Sequence, residues 1–310
     1  VRTGYAIAGA ALAAVTLASS AQAEGPLRQM LRERMAQRMA AMDRDAPRAP
    51  APTTITYGND PAQVMDVWPQ PGATAPVPLV LFVHGGGWQQ GNKDNATGNW
   101  KPTHYLGQGY AFASINYRLV PQARVEDQAA DVAAALARII AQADTLKIDR
   151  RRIVLMGHSA GAHLVALVGT DERYLKAAGL RFADVAGVIP VDGAAYDVPL
   201  QMRDGPQMMQ KVYAQAFGDD PARQAALSPT LQAAAPNAAR FLIPHVQRPD
   251  GIAQSEALAK ALRTAGSQVD LASIPGEGLT GHMEINRRMG DPAYAATPIV
   301  DGWLKQVFGQ

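Results

Sequence analysis

The 310-residue sequence contains no cysteine. That excludes a disulfide framework and any thiolate metal site, so stability has to come from a packed core. An excess of either charge is nearly absent too, with 29 Lys and Arg against 27 Asp and Glu and a formal net charge of +2. The candidate signal segment holds one of those charges, on Arg2, and residues 24–48 set six arginines against four acids, so the remainder carries −1. A nucleic-acid-binding face on the main domain is therefore not expected. No internal repeat is evident. The one apolar run outside the predicted core, from about Tyr5 to Ala18, is short for a membrane span, and stable membrane insertion is not expected.

That run reads instead as export chemistry. Arg2 precedes it and Ala21-Gln-Ala23 supplies a small-x-small cleavage pattern, which predicts a signal peptide over 1–23 and an exported, periplasmic or secreted, mature chain. Val1 in place of methionine is what a bacterial alternative start codon, or a trimmed chain, would give. Leu27, Met30, Leu31, Met35 and Met39 then fall at helical spacing between arginines, predicting a short amphipathic leader helix. Ala46-Pro-Arg-Ala-Pro-Ala-Pro52 follows as a linker, so 24–52 forms leader and linker, and the folded body spans 53–310.

With 47% apolar and 18% charged residues, the body suits one large core or two modest ones. Runs rich in Val, Ile, Leu and aromatics predict strands near 53–57, 63–68, 78–83, 110–116, 152–157, 186–191, 240–244 and 269–273. Helical patterns fall over Val125 to Ala143, Ala160 to Gly169, Gln254 to Ala265 and Pro298 to Phe308. Continuously apolar strands such as Ile153-Val-Leu-Met156 point to burial on both faces, hence an α/β fold with a mostly parallel sheet flanked by helices. The stretch 194–239 is too long for an ordinary connection and reads as a lid-like insertion. Pro244 predicts that its strand ends there.

Two motifs carry chemistry. Gly157-His-Ser-Ala-Gly161 lies between an apolar strand and a helix, where a sharp turn exposes a nucleophilic Ser159. His84-Gly-Gly-Gly-Trp88 leaves another strand, and bare glycines let main-chain amides approach a developing oxyanion. The expected donors are the amides of Gly86, Gly87 and Ala160, the last at a helix start. His84 is read as a brace for this loop. Trp88 and His158, adjoining the two motifs, are candidate substrate-binding residues, although local packing also accounts for His158 and for His163.

A serine needs a base oriented by an acid. His282, in a predicted loop after the final strand, can reach across the top of the sheet and is the candidate base. His104 and His245 lie where no acid–base pair is suggested. Asp250, after the preceding strand, is the candidate acid and completes a Ser159, Asp250, His282 order; Asp270 and Glu277 are the alternatives.

With these motifs the chain resembles an α/β-hydrolase of the hormone-sensitive-lipase and bacterial carboxylesterase branch, from about Thr53 to Phe308. Trp88 with Gly91-Asn-Lys-Asp94 is similar to feruloyl-esterase-like carboxylesterases and arylformamidases, and Asn116-Tyr-Arg118 resembles their Asn-Tyr-Arg turn, a scaffold element. The resemblance implies an eight-stranded, mostly parallel sheet with an antiparallel edge at its first strands, no metal or organic cofactor, and hydrolysis of a small-molecule ester with a short or medium acyl or aryl group through an acyl-enzyme. Alternatives are an arylformamidase-like amide hydrolase and a non-catalytic binding module on the same scaffold. Two departures stand out. The acid turn reads Arg-Pro-Asp250, and Ala160 follows the serine where cutinase-like enzymes carry Met.

Overall fold

A computed structural model describes Met30, Arg34, Gln37 and residues 44–310. Two compact units are present, Val1–Arg38 and Met39–Gln310. In the first, Met30, Arg34 and Gln37 are helical. The predicted signal peptide and most of the predicted leader helix lie outside the described residues. In the second, the Pro-rich stretch is docked on the body: Trp68 Nε1 donates to the Pro50 carbonyl at 2.8 Å and Thr103 Oγ1 to that of Pro47 at 3.2 Å.

All eight strands form one sheet. They are β1 Thr53–Thr56, β2 Val64–Trp68, β3 Val77–Val83, β4 Ala111–Ile115, β5 Ile148–His158, β6 Gly187–Val191, β7 Arg240–Gln247 and β8 Gln268–Glu277, in the order β1-β2-β4-β3-β5-β6-β7-β8. The β1–β2 and β2–β4 pairs are antiparallel and the other pairs parallel, which gives the expected edge. Two apolar cores cover the faces, and the strands feed them alternately. Leu79, Leu81 and Val83 of β3 enter one core while Val80 and Phe82 enter the other; Ile153 and Leu155 of β5 oppose Val154 and Met156 in the same way. That is why these strands read as unbroken apolar runs.

On the first face lie α2 (Val125–Ala141), α4 (Ala160–Thr170) and α10 (Pro249–Thr264); on the second lie α1 (Trp100–Gly107), α11 (Gly278–Arg287) and α12 (Ala296–Phe308). Short helices α3 (Ala143–Leu146) and α5 (Glu172–Ala177) complete the connections. The insertion after β6 is helical, with α6 (Val198–Asp204), α7 (Gln210–Phe217), α8 (Pro221–Ala226) and α9 (Pro229–Gln232). Its attachment to α2 includes a bidentate pair, Arg223 to Glu126 at 2.7 and 2.8 Å. Among the described residues, no helix is long and apolar enough to cross a membrane.

The sequence-based reading ends one strand too early. β7 continues through Pro244 to Gln247. A strand residue presents its nitrogen and its carbonyl to the same edge, and the Pro244 carbonyl accepts from Asp192 N at 2.7 Å on the β6 side. Register partners between β6 and β7 are confined to Val188 and Phe241, so near Pro244 no ladder donor is demanded and proline is tolerated.

Candidate active site

The parallel strands deliver their carboxyl ends to one rim of the sheet. There β5 passes into α4 through Ser159, which has φ 57° and ψ −117°. A non-glycine residue held at such a positive φ marks strain that the surroundings must maintain. Glycines on both sides permit the turn. A Cβ on Gly157 would run into the Gly161 carbonyl, and one on Gly161 into the carbonyl oxygens of Val83 and His84. Ser159 N donates to the Val191 carbonyl at 3.1 Å, fixing the serine beside the end of β6.

The loop after β3 closes over this turn. A Cβ on Gly85 would lie 3.0 Å from Ser159 Cβ, so the bare main chain is what allows the approach. Gly86, Gly87 and Trp88 follow with φ of 129°, 59° and 62°. Ala160 opens α4, where its amide has no partner within the helix. The three amides expected to face an oxyanion therefore belong to the two segments in contact at Ser159.

Trp88 is 2% exposed. Its ring packs edge-on to His163, Tyr213 and Phe217, with centroids 5.5, 6.2 and 4.8 Å away, and its carbonyl accepts from Gln128 Nε2 at 2.8 Å. Trp88 Nε1 donates to His163 Nδ1 at 3.3 Å while His163 Nε2 donates to the Leu227 carbonyl at 2.8 Å, so a neutral imidazole satisfies both neighbours. Burial, only partly offset by the Leu227 bond, lowers His163 to about 4. The expectation that Trp88 binds substrate is thus corrected: its ring is occupied in anchoring the glycine loop to α4 and to the insertion.

His84 is a brace, as expected. It is fully buried, bonds Gly85 O through Nδ1 at 2.7 Å and stacks on Tyr117 at 4.4 Å. Burial lowers it to about 4 despite that bond. The Asn116-Tyr-Arg118 turn supports the same loop. Asn116 Oδ1 accepts from Lys93 N at 2.6 Å, Tyr117 OH donates to His84 O at 2.9 Å and Arg118 pairs with Asp131 at 2.7 Å.

His282 sits inside α11 rather than in a loop, because Gly276 at φ 132°, near the end of β8, and Gly278 at φ 51°, just after it, turn the chain so that the helix starts there. Its Nδ1 lies 2.6 Å from Asp192 Oδ2. Asp192, the first residue after β6, has φ 43° and a side chain with no exposure. It also accepts from Val246 N at 3.1 Å and from Arg248 Nε at 3.1 Å. Burial alone would push this carboxyl up, but the bond and charge of His282, the charge of Arg248 and the Val246 amide outweigh it and hold it well below the usual carboxylate range.

Asp250 is therefore not the acid brought to His282. Because β7 runs to Gln247 and α10 begins at Pro249, Asp250 falls in the first turn of that helix, where Arg248 Nη1 at 3.4 Å and Gln201 Nε2 at 3.3 Å take its carboxylate. Asp270 lies within β8 opposite Leu242, and Glu277 ends β8 opposite Gln247. Sequence reasoning missed Asp192, yet a signal existed: Val191-Asp192-Gly193 puts an acid directly after a buried parallel strand, at the same rim as Ser159.

His158 is 3% exposed, and its ring lies 4.5 Å from that of His282, with Nε2 2.8 Å from the His282 carbonyl. It holds the backbone of the candidate base and offers almost no surface to a substrate. Burial first, then the His282 charge, keep it well below the usual imidazole range. His104 does have an acid partner, Asp301 at 2.8 Å, but this pair joins α1 to α12. A cavity of about 430 Å³ lies between the Pro-rich stretch and the loop after Trp88, lined by Pro47, Trp68, Lys93 and Thr97 among others and by none of the candidate catalytic residues.

The BD-FAE family profile matches residues 65–261, a span that includes both motifs and Asp192. The chain belongs to the BD-FAE family. Esterase LipC of Mycobacterium tuberculosis (strain ATCC 25618 / H37Rv) is 31% identical over 78% of the chain, which spans 62% of that relative's length. A kynurenine formamidase of Salmo salar is 25% identical, with 79% of each chain covered. Among solved structures, Esterase B from Lactobacillus Rhamnosis superposes with a TM-score of 0.71 at 22% identity, covering 91% of this chain and 92% of that one, and so shares the fold of this BD-FAE protein.

Proposed function

We propose that this BD-FAE protein is a serine carboxylesterase in which Ser159 is the nucleophile, His282 the base and Asp192 the orienting acid. The observation that carries this reading is the 2.6 Å contact between His282 Nδ1 and the buried Asp192, at the strand ends beside the strained Ser159 turn. With Nδ1 engaged, His282 Nε2 is the nitrogen left to take the Ser159 hydroxyl proton as Oγ attacks an ester carbonyl. The negative oxygen that results is met by the amides of Gly86, Gly87 and Ala160, with the α4 dipole behind the last of them. Collapse returns the proton from Nε2 to the departing alcohol, and water repeats the sequence on the acyl-enzyme. Small-molecule esters with short or medium acyl groups, or aryl esters, are the proposed substrates.

A formamide or other amide substrate is the second reading. It is favoured by the similarity to kynurenine formamidases and uses the same residues. Turnover of p-nitrophenyl esters from acetate to palmitate, methyl ferulate and N-formylkynurenine, wild type beside Ser159→Ala, tests both. Serine-dependent ester turnover supports the first reading, and a strong preference for N-formylkynurenine the second. Turnover that survives in Ser159→Ala overturns the serine mechanism. The amino-terminal apolar run supports an exported enzyme; a mature amino terminus at Glu24 after expression with the leader tests that.

A further inference from the structure

The charges around the base do not end at Asp192. Arg248, immediately before α10, lays its guanidinium along that carboxylate: Nε is 3.1 Å from Oδ2, and Nη2 reaches the carbonyl oxygens of Asp192 and Gly193 at 3.4 and 3.1 Å. On its other side Nη1 is 3.4 Å from Asp250 Oδ2. Arg248 and Asp250 have side chains only 13% and 14% exposed, so solvent screens these charges weakly. The base thus faces a carboxylate, a guanidinium and a second carboxylate in series.

We propose that Arg248 is a positioning residue of the catalytic triad and that Asp250 balances its charge, the two together setting the pH range over which His282 acts as base. This rests on the Ser159–His282–Asp192 reading. One oxygen, Asp192 Oδ2, receives both His282 Nδ1 and Arg248 Nε, so the guanidinium fixes the carboxylate plane that orients the imidazole. A permanent positive charge there also opposes formation of the imidazolium, and the carboxylate of Asp250 offsets part of that opposition.

The remaining groups packed around the pair do not supply this tuning. His158 from β5 is kept neutral by burial. Tyr196, after β6, Tyr213 of α7 and Tyr294, before α12, have phenols raised by burial, and Tyr294 is flanked by the ion pair between Glu284 of α11 and Arg288 just beyond it. Lys101 of α1 reaches α11 at the Asn286 carbonyl and side chain, one turn beyond His282. None of these aromatic groups changes charge between about pH 5 and 8, where imidazole bases work.

The test is the pH profile of kcat/KM for wild type, Arg248→Met, Arg248→Lys, Asp250→Asn and Asp192→Asn on an ester that shows Ser159-dependent turnover. Arg248→Met should move the acidic limb up by about one pH unit and lower kcat roughly tenfold or more. Arg248→Lys should return the limb towards wild type, because the charge is kept, while recovering kcat only in part, because an ammonium lacks the guanidinium fork. Asp250→Asn should move the limb down with a loss in kcat of less than about tenfold. Limbs that do not move, or that move the same way in Arg248→Met and Asp250→Asn, overturn the inference while leaving the triad intact. Should Arg248→Met not fold, the Lys and Asn variants decide it by the same limbs. A loss in Asp250→Asn as deep as in Asp192→Asn overturns the triad assignment itself.

Discussion

His158 and His282 lie ring against ring, 4.5 Å between centroids, with His158 Nε2 2.8 Å from the His282 carbonyl. The residue preceding the nucleophile thereby grips the main chain of the base. His158→Ala should lower kcat by about 10- to 100-fold, since small displacements of a catalytic group are costly, with KM changed less than about threefold. His158→Gln keeps an N–H donor and should recover part of the loss. Steady-state kinetics decide the matter, and an alanine variant with wild-type kcat refutes the role.

Three buried imidazoles make stability fall on the acid side. His84 and His163 are lowered to about 4 by burial, each partly offset by one carbonyl bond, and His158 lies well below its usual value. Unfolding returns each to a value near 6.5, so between about pH 6.5 and 4 the unfolded chain binds more protons than the folded one. The stabilisation is complete above about 6.5 and is lost as pH drops, with a slope approaching about 4 kcal/mol per pH unit near pH 5 when all three contribute. Thermal melts of Ser159→Ala from pH 8 to 5 should show a steep decline below about 6.5. A Tm that stays flat down to pH 5 contradicts it.

Gly161→Ala should cost about 3 kcal/mol or more, because the new methyl meets main-chain oxygens of Val83 and His84, which cannot rotate away. Urea unfolding measures this, and an alanine variant of wild-type stability would mean that α4 can shift outward.

Trp88→Phe removes the indole donor together with part of the packed ring, and leaves His163 Nδ1 buried without its partner. A loss of about 1–3 kcal/mol is expected, with kcat reduced as the glycine loop loosens. The alternative role, substrate contact, predicts a raised KM at unchanged stability, so melts and kinetics on the same protein separate the two.

The architecture was legible because the inner strands of this sheet are buried on both faces and therefore announce themselves as apolar runs, as Ile153 to Met156 does. Ser159 and the glycine loop were legible because strained or closely approached backbone restricts which residues fit. The acid was not. One-dimensional order allows either Asp192 or Asp250 between Ser159 and His282, and the choice depends on where β7 ends relative to β6, a register that Pro244 disguises. The burial of Trp88 was hidden for a related reason, since the residues that enclose it, Tyr213 and Phe217, come from an insertion with no strand-like pattern of its own.

Val212 of α7 bears directly on the glycine loop, so close that a Cβ on Gly87 would come within 2.9 Å of it, and the Leu227 carbonyl holds the imidazole that Trp88 leans on. The insertion is consequently a foundation of the glycine loop. Exchanging it wholesale for that of a relative, as a route to a new substrate range, would disturb turnover before it altered selectivity. Redesign of this enzyme has more freedom at positions such as Met208, 80% exposed, than at Tyr213, Ala216 and Phe217, the buried face of α7.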